Sequence, residues 1–297
     1  MDWVEVPSFA KVNLGLYIKE KRKDGFHSIE SIFQTISLKD SLYFKLEGEG
    51  INITSDNPAL PKGPSNIIYK AASLFKDKKG KNLGVKIKVE KRIPIGAGLG
   101  GGSSNAAVTL LTLNRLLGYT KKTEELAKYA ENLGSDVSFF LKGGTAIVSG
   151  RGEKIEWASD IPPLNFLLAI PAFSISTKDA YQWWDNHKKQ DLTNEDLSFI
   201  LQRMQEGKKE ILSKLENSFW KVIVEKYPQL KKIMENLERL KPIKVILSGS
   251  GPAIFAIFGS EKYNVRVGDI LEDSFTLTSC SSISRKEYFN LLKQKED

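Results

Sequence analysis

Apolar and polar side chains alternate along residues 4–18, with Val12, Leu14, Leu16 and Ile18 on one face and Lys11, Asn13, Gly15 and Tyr17 on the other. A period of two predicts an extended strand, interrupted at Pro7. Asp24-Gly25 predicts a hairpin turn into a second strand at 29–33. A short strand follows at 51–54, then a Pro/Gly-rich break at 58–64 and a helix over 66–75. Val85, Ile87 and Val89 alternate with Lys86, Lys88 and Glu90, which predicts a half-exposed strand leading into a run of glycines. Beyond the glycines, residues 106–117 are rich in Ala and Leu and stop at Gly118. They predict a mostly buried helix, with Ser103 or Ser104 as N-cap. Thr123 caps the next helix, with Glu124 and Glu125 in its first turn and Gly134 at its end.

The second half has a different texture. Residues 166–170 read as a buried strand, and 211–227 and 228–240 as two amphipathic helices. Leu230, Ile233, Leu237 and Leu240 share one face of the second, with Pro228 at its N1 position. Strands at 244–247 and 253–258 flank a Ser-Gly-Ser-Gly turn. Strands and helices mix without regular β-α-β-α alternation, so the fold class is α+β. SGRG at 149–152 and IPP at 161–163 break the pattern, placing a boundary within 150–165 and two lobes at 1–158 and 159–297.

Composition narrows the classes. With 297 residues, 41% hydrophobic and 27% charged, the chain is neither disordered nor fibrous. The longest apolar stretch, around 167–173, is too short to span a bilayer, and MDWVEV at the start lacks the basic region of a signal peptide. The lone Cys280 forms no internal disulfide and reads as a small apolar residue; a cytoplasmic location is expected. A net charge of +8 favours anionic partners. Only KEKRK at 19–23 is dense, however, so a scattered, solvated basic surface is expected, with neither nucleic acid nor a membrane as partner. His27 has no second ligand at zinc spacing, and His187 has no motif around it.

The chemistry concentrates in PIGAGLGGGSSNAA at 94–107. Such a run lets backbone come close to a ligand with its N–H groups free, and phosphate at a helix N-terminus is the usual ligand. A dinucleotide fold needs a strand ending in an acidic residue about 20 positions on, where this chain has YTKKTE. No Lys-Ser/Thr follows the glycines as in a P-loop, and no Val-Ala-Ile-Lys strand as in protein kinases. A glycine loop for a polyphosphate remains.

That segment resembles the phosphate loop of the GHMP kinases, the superfamily of galactokinase, homoserine kinase and mevalonate kinase. AKVNLGL at 10–16 and LSGSGPAIF at 247–255 resemble two further motifs of the superfamily, in the same order. DGFHSIESIFQ at 24–34 and LGSDVSFF at 133–140 are most similar to the branch that phosphorylates cytidine diphosphate-linked methylerythritol. The resemblance covers essentially the whole chain. It implies two domains with the active site in the cleft between them, ATP with Mg2+, and a small-molecule acceptor. Mevalonate or homoserine is the alternative acceptor.

By the same resemblance, Lys11 and Asp136 are the catalytic pair, although locally Asp136 reads as a capping residue and the spacing leaves Lys11 either a cleft-wall or an ordinary solvent-facing lysine. Asn66, Pro94, Gly96, Ala97, Gly98, Leu99, Gly100, Gly101, Gly102, Ser103, Ser104 and Asn105 fall to ATP, and Asn13, Phe26, His27, Thr177 and Tyr181 to the acceptor. Phe26 and Tyr181 offer aromatic faces for a base. No carboxylate is singled out as a magnesium ligand, though Ser104 is at hand. The chain departs from the family at Phe9 and Ser138, where proline is usual, and at Phe26, where tyrosine is usual. LENSF at 215–219 carries Ser218 where an Asn-Asp pair is typical. Phe26 keeps a stacking face and lacks a hydroxyl.

Overall fold

In the computed structural model, which describes residues 2–75, 84–187, 196–259 and 275–293, the first half of the chain builds a mixed sheet around a long hairpin. Strand β1 (Val4–Lys21) pairs antiparallel with β2 (His27–Lys45) along almost its whole length. Beyond β2 lie β3 (Ile51–Ser55), β4 (Val85–Glu90), β5 (Thr145–Gly150) and β6 (Lys154–Trp157), in the order β3-β4-β2-β5-β6. Pro7 does not stop β1, because β2 is the only strand beside it there and an edge strand can do without one donor. The parallel pair β3/β4 is bridged by helix α1 (Ile67–Ser73), which Asn66 caps by accepting the Ile68 N–H at 2.8 Å.

The second sheet is antiparallel, in the order β10-β7-β9-β8, from β7 (Asn165–Pro171), β8 (Lys244–Leu247), β9 (Ile254–Phe258) and β10 (Phe275–Ser281). One core joins the first sheet to α1, α2 (Gly101–Leu116), α3 (Thr123–Leu133) and α8 (Arg285–Lys293) through Phe33, Phe44, Leu113, Phe139 and Tyr288. A second core joins the two sheets to each other and to α5 (Leu197–Gln205), with Val12, Leu14 and Tyr17 against Phe166, Leu168 and Phe255. The third lies on the far face of the second sheet, under α4 (Thr177–Asn186), α6 (Trp220–Lys226) and α7 (Gln229–Glu238). Phe166 and Leu168 serve the second core while Leu167 and Ala169 serve the third. A sheet covered on both faces explains the unbroken apolar run at 166–170.

Several expectations need correction. A register shift between Asn13 and Gly15 switches the faces of β1, so Tyr17 joins Val12 and Leu14 in the second core while Leu16 and Ile18 enter the third. Helix α2 starts at Gly101, not near 106, and its N-cap is Gly100, so Ser103 and Ser104 sit inside the first turn. Lys122 rather than Thr123 caps α3, and Pro228 is the N-cap of α7 rather than N1. The helix expected over 211–227 is broken into a 3-10 turn (Lys209–Lys214) and α6. Between them the backbone leaves the helix to bond β1, with Leu16 N–H donating to Glu216 O at 2.9 Å and Ser218 N–H to Leu16 O at 2.8 Å. Cys280 is buried in β10, and burial pushes its thiol up to about 12.

Candidate active site

A cavity of about 990 Å³ lies between the β1–β2 hairpin, the start of α2, the start of α4 and the turn after β8. The glycine loop forms its floor. Gly98 (φ 78°) and Gly100 (φ 70°) take left-handed conformations that favour glycine. A Cβ on Gly98 would also lie 2.3 Å from Ser248 O, and one on Gly100 2.9 Å from the Phe140 ring. The loop's carbonyls are tied down behind it. Leu99 O accepts from Lys11 N–H (3.0 Å), Gly98 O from Ser248 Oγ (3.0 Å) and Ala97 O from Ala253 N–H (3.3 Å).

The first bond of the α2 ladder runs from Ser104 N–H to Gly100 O at 2.9 Å, so the amides of Gly101, Gly102 and Ser103 precede it. They sit at the positive end of a 16-residue helix, a natural seat for an anion. Gly102 differs from its neighbours. It is exposed, its φ is not left-handed, and a Cβ there would meet only Ile67 Cγ2, at 3.9 Å. Neither backbone nor packing requires glycine at 102.

Beside this floor, β1 places Lys11, and the turn after α3 places Asp136. Lys11 Nζ lies 3.5 Å from Asp136 Oδ2 and donates to Asn13 Oδ1 at 2.5 Å. Asn13 Nδ2 donates to Ser31 Oγ (2.9 Å), and Ser31 donates onward to Gly15 O (2.5 Å). This directed chain satisfies each buried group and fixes the ammonium. Lys11 is only 4% exposed, and its ammonium also lies 4.4 Å from the Phe33 ring centre. Burial lowers its pKa, with Asp136 pulling the other way.

The opposite wall comes from two distant segments. His27, at the start of β2, stacks on Tyr181 of α4 with ring centres 5.0 Å apart and planes 10° from parallel. Tyr181 meets Phe219 edge-on at 4.9 Å, and its phenol is pushed up to about 12, first by burial and then by Asp136. Phe26 is 56% exposed, with the Arg151 guanidinium 5.1 Å above its ring. Thr177 Oγ1 lies 3.0 Å from Ser250 Oγ, which ties α4 to the glycine turn after β8.

The structure thus brings Lys11, Asn13, Phe26, His27, Asn66, Asp136, Thr177 and Tyr181 to one cleft with the loop from Pro94 to Ser103. Ser104 and Asn105 do not reach it. Both are buried behind the loop, where Ser8 donates to Asn105 Oδ1 (2.6 Å) and its oxygen lies 2.8 Å from that of Ser104. Sequence reasoning missed Asp185, which holds His27, and Asp40, which holds Lys91 at the cleft floor. Asp40 is fully buried and accepts from Lys91 Nζ (2.8 Å) and from the N–H groups of Arg92 (2.7 Å) and Ile93 (2.8 Å).

Among the described residues no three His, Cys, Asp or Glu side chains gather to hold a metal, and no helix is long and apolar enough to cross a membrane. Asp136 and Ser103 are among the side chains that bring oxygen donors to the cleft. That donor set suits magnesium carried chiefly by substrate phosphates, not a protein-built cage.

Family models for the GHMP kinases N terminal domain and the GHMP kinases C terminal match residues 66–144 and 200–276. The 4-diphosphocytidyl-2-C-methyl-D-erythritol kinase of Caldanaerobacter subterraneus subsp. tengcongensis is 36% identical over 278 residues, 94% of this chain and 96% of that protein. Its Bacillus subtilis counterpart is 36% identical over 260 residues, 87% of this chain and 89% of that one. A crystal structure of 4-(cytidine 5'-diphospho)-2C-methyl-D-erythritol kinase superposes with a TM-score of 0.77 at 32% identity, covering 94% of this chain and 98% of that one. Homoserine kinase from Cytophaga hutchinsonii, at 19% identity and a TM-score of 0.70, covers 96% of this chain and 95% of its own and shares the fold.

Proposed function

The chain belongs to the GHMP kinase family, and we propose that its cleft transfers the γ-phosphoryl group of ATP to the 2-hydroxyl of 4-diphosphocytidyl-2-C-methyl-D-erythritol, in the non-mevalonate route to isoprenoid precursors. One observation carries the reading: a glycine-cradled helix N-terminus, a lysine–carboxylate pair and a histidine–tyrosine wall line the same cavity. Relatives about a third identical over most of the chain carry this substrate in their names, while homoserine kinase is similar in fold alone. The two lobes are taken as 1–158 and 159–297, with α8 returning to pack on the first sheet.

ATP phosphates would rest on the amides of Gly101, Gly102 and Ser103, with Asn66 nearby on the same cleft. Ser103 and Asp136 would help to hold magnesium, which would supply charge neutralisation of the phosphate oxygens when bound. Asp136 orients the acceptor hydroxyl and takes its proton on a carboxylate oxygen. Lys11 pairs with that carboxylate and places its ammonium beside the charge that builds on the transferred group. In a loose phosphoryl-transfer transition state the proton leaves late, so holding the hydroxyl in line matters more than strong basicity. Asn13 aims Lys11, and Tyr181 stays a neutral phenol at ordinary pH.

An acceptor panel followed by ADP release tests this. The diphosphocytidyl substrate is expected to give a kcat/KM at least ~10²-fold above mevalonate and homoserine, the scale set by losing several specific contacts. Equal or better turnover of mevalonate would replace the acceptor named here.

A further inference from the structure

Asp185 lies far in sequence from His27, yet α4 carries it, one turn beyond Tyr181, to the imidazole. Its Oδ1 is 2.7 Å from His27 Nε2, and its Oδ2 is 2.5 Å from Lys21 Nζ. The lysine holds the second carboxylate oxygen, so the first faces the ring. His27 itself is buried, with its ring stacked flat on Tyr181, and therefore has little freedom to swing. A carboxylate accepts hydrogen bonds and donates none, so with a single proton on the ring that proton sits on Nε2. Nδ1 is then left with a lone pair, as an acceptor only.

An acceptor at that point of the wall distinguishes two bases. Cytosine presents an exocyclic amino group, which donates. Uracil presents a carbonyl oxygen in its place, which leaves two acceptors facing each other. We infer that Asp185 is a specificity-determining residue, acting through the tautomer and orientation of His27 to favour a cytidine over a uridine diphosphate acceptor. The inference rests on the acceptor named above, and Asp185 is a positioning residue that need not touch the substrate.

The experiment measures kcat/KM for the cytidine and uridine forms of the methylerythritol diphosphate with wild type, Asp185→Ala and Asp185→Asn. Asp185 is partly exposed on α4, so neither change opens a cavity in a core. Wild type should prefer the cytidine form. Asp185→Ala should lower that ratio about tenfold, the scale of one lost hydrogen bond. Asp185→Asn, whose carbonyl oxygen still accepts from Nε2, should restore most of it, and KM for ATP should stay constant throughout. Equal losses on both substrates, with the ratio unchanged, would reduce Asp185 to a structural contact and overturn the inference. A wild-type enzyme indifferent to the base would overturn it too. Failure to phosphorylate the cytidine form at all would instead remove the function proposed above.

Discussion

Gly102→Ala separates the glycine loop's role in binding from its role in folding. Helical backbone at 102 accepts alanine, and its Cβ would meet nothing closer than Ile67 Cγ2 at 3.9 Å. Alanine is preferred to glycine in helices by up to about 1 kcal/mol. The fold should therefore be unharmed or slightly stabilised, with Tm rising by no more than about 3 °C for a chain of this size. The same methyl group would stand in the space assigned to phosphate and push the donor off its seat. A displacement of about 1 Å costs roughly 10²-fold in rate, so kcat/KM for ATP should fall by about that factor. Calorimetry and initial-rate kinetics on one preparation read both numbers. A variant with raised Tm and wild-type kcat/KM for ATP would refute the placement of phosphate at the start of α2. Gly98→Ala offers no such separation, because its Cβ would collide with Ser248 O at 2.3 Å.

Three further outcomes are expected. Asp40→Ala leaves the Lys91 ammonium buried without its carboxylate, so denaturant titration should show a loss of about 3–5 kcal/mol, and a loss below about 1 kcal/mol would contradict the pair's role. Burial lowers the pKa of Lys11, so the protonated form is lost earlier than in an ordinary lysine as pH rises; kcat should fall on an alkaline limb centred below 10.5. Lys11→Arg, which stays charged, should lack that limb, and a wild-type limb at or above 10.5 would count against the desolvated lysine. Ser104→Ala should cost about 0.5–1.5 kcal/mol of stability and leave KM for ATP unchanged, whereas Ser103→Ala should raise it; the reverse pattern would return Ser104 to the nucleotide.

Local pattern was enough for the presence of β1, though not its faces, and for the 24–25 turn, β4 and the glycine loop, because alternation and glycine spacing are written within a few residues. It failed where distant partners decide. Residues 215–218 have helical periodicity, but bonding to Leu16 holds them out of the helix. Strand β5 is short and takes its register from β2, and α4 fully buries only Ala180, too narrow a stripe to read as a helix. At the site, Lys11, Asn13 and the loop were legible because they share a strand or a turn. Ser104 and Asn105 adjoin the loop in sequence, yet the helix starts early and rotates them toward Ser8. Asp185 reaches His27 across 158 positions, a separation no local motif encodes.

The central claim is that one cleft moves phosphate from ATP to a diphosphocytidyl alcohol with Asp136 at its centre. Phosphorus NMR of the purified protein with ATP, magnesium and 4-diphosphocytidyl-2-C-methyl-D-erythritol tests it directly, with Asp136→Ala run in parallel. A new phosphomonoester resonance growing in step with ADP, at a rate lowered about 10²- to 10⁴-fold in the variant, is the predicted result. ADP formed without the phosphomonoester, or an undiminished rate in Asp136→Ala, would contradict it.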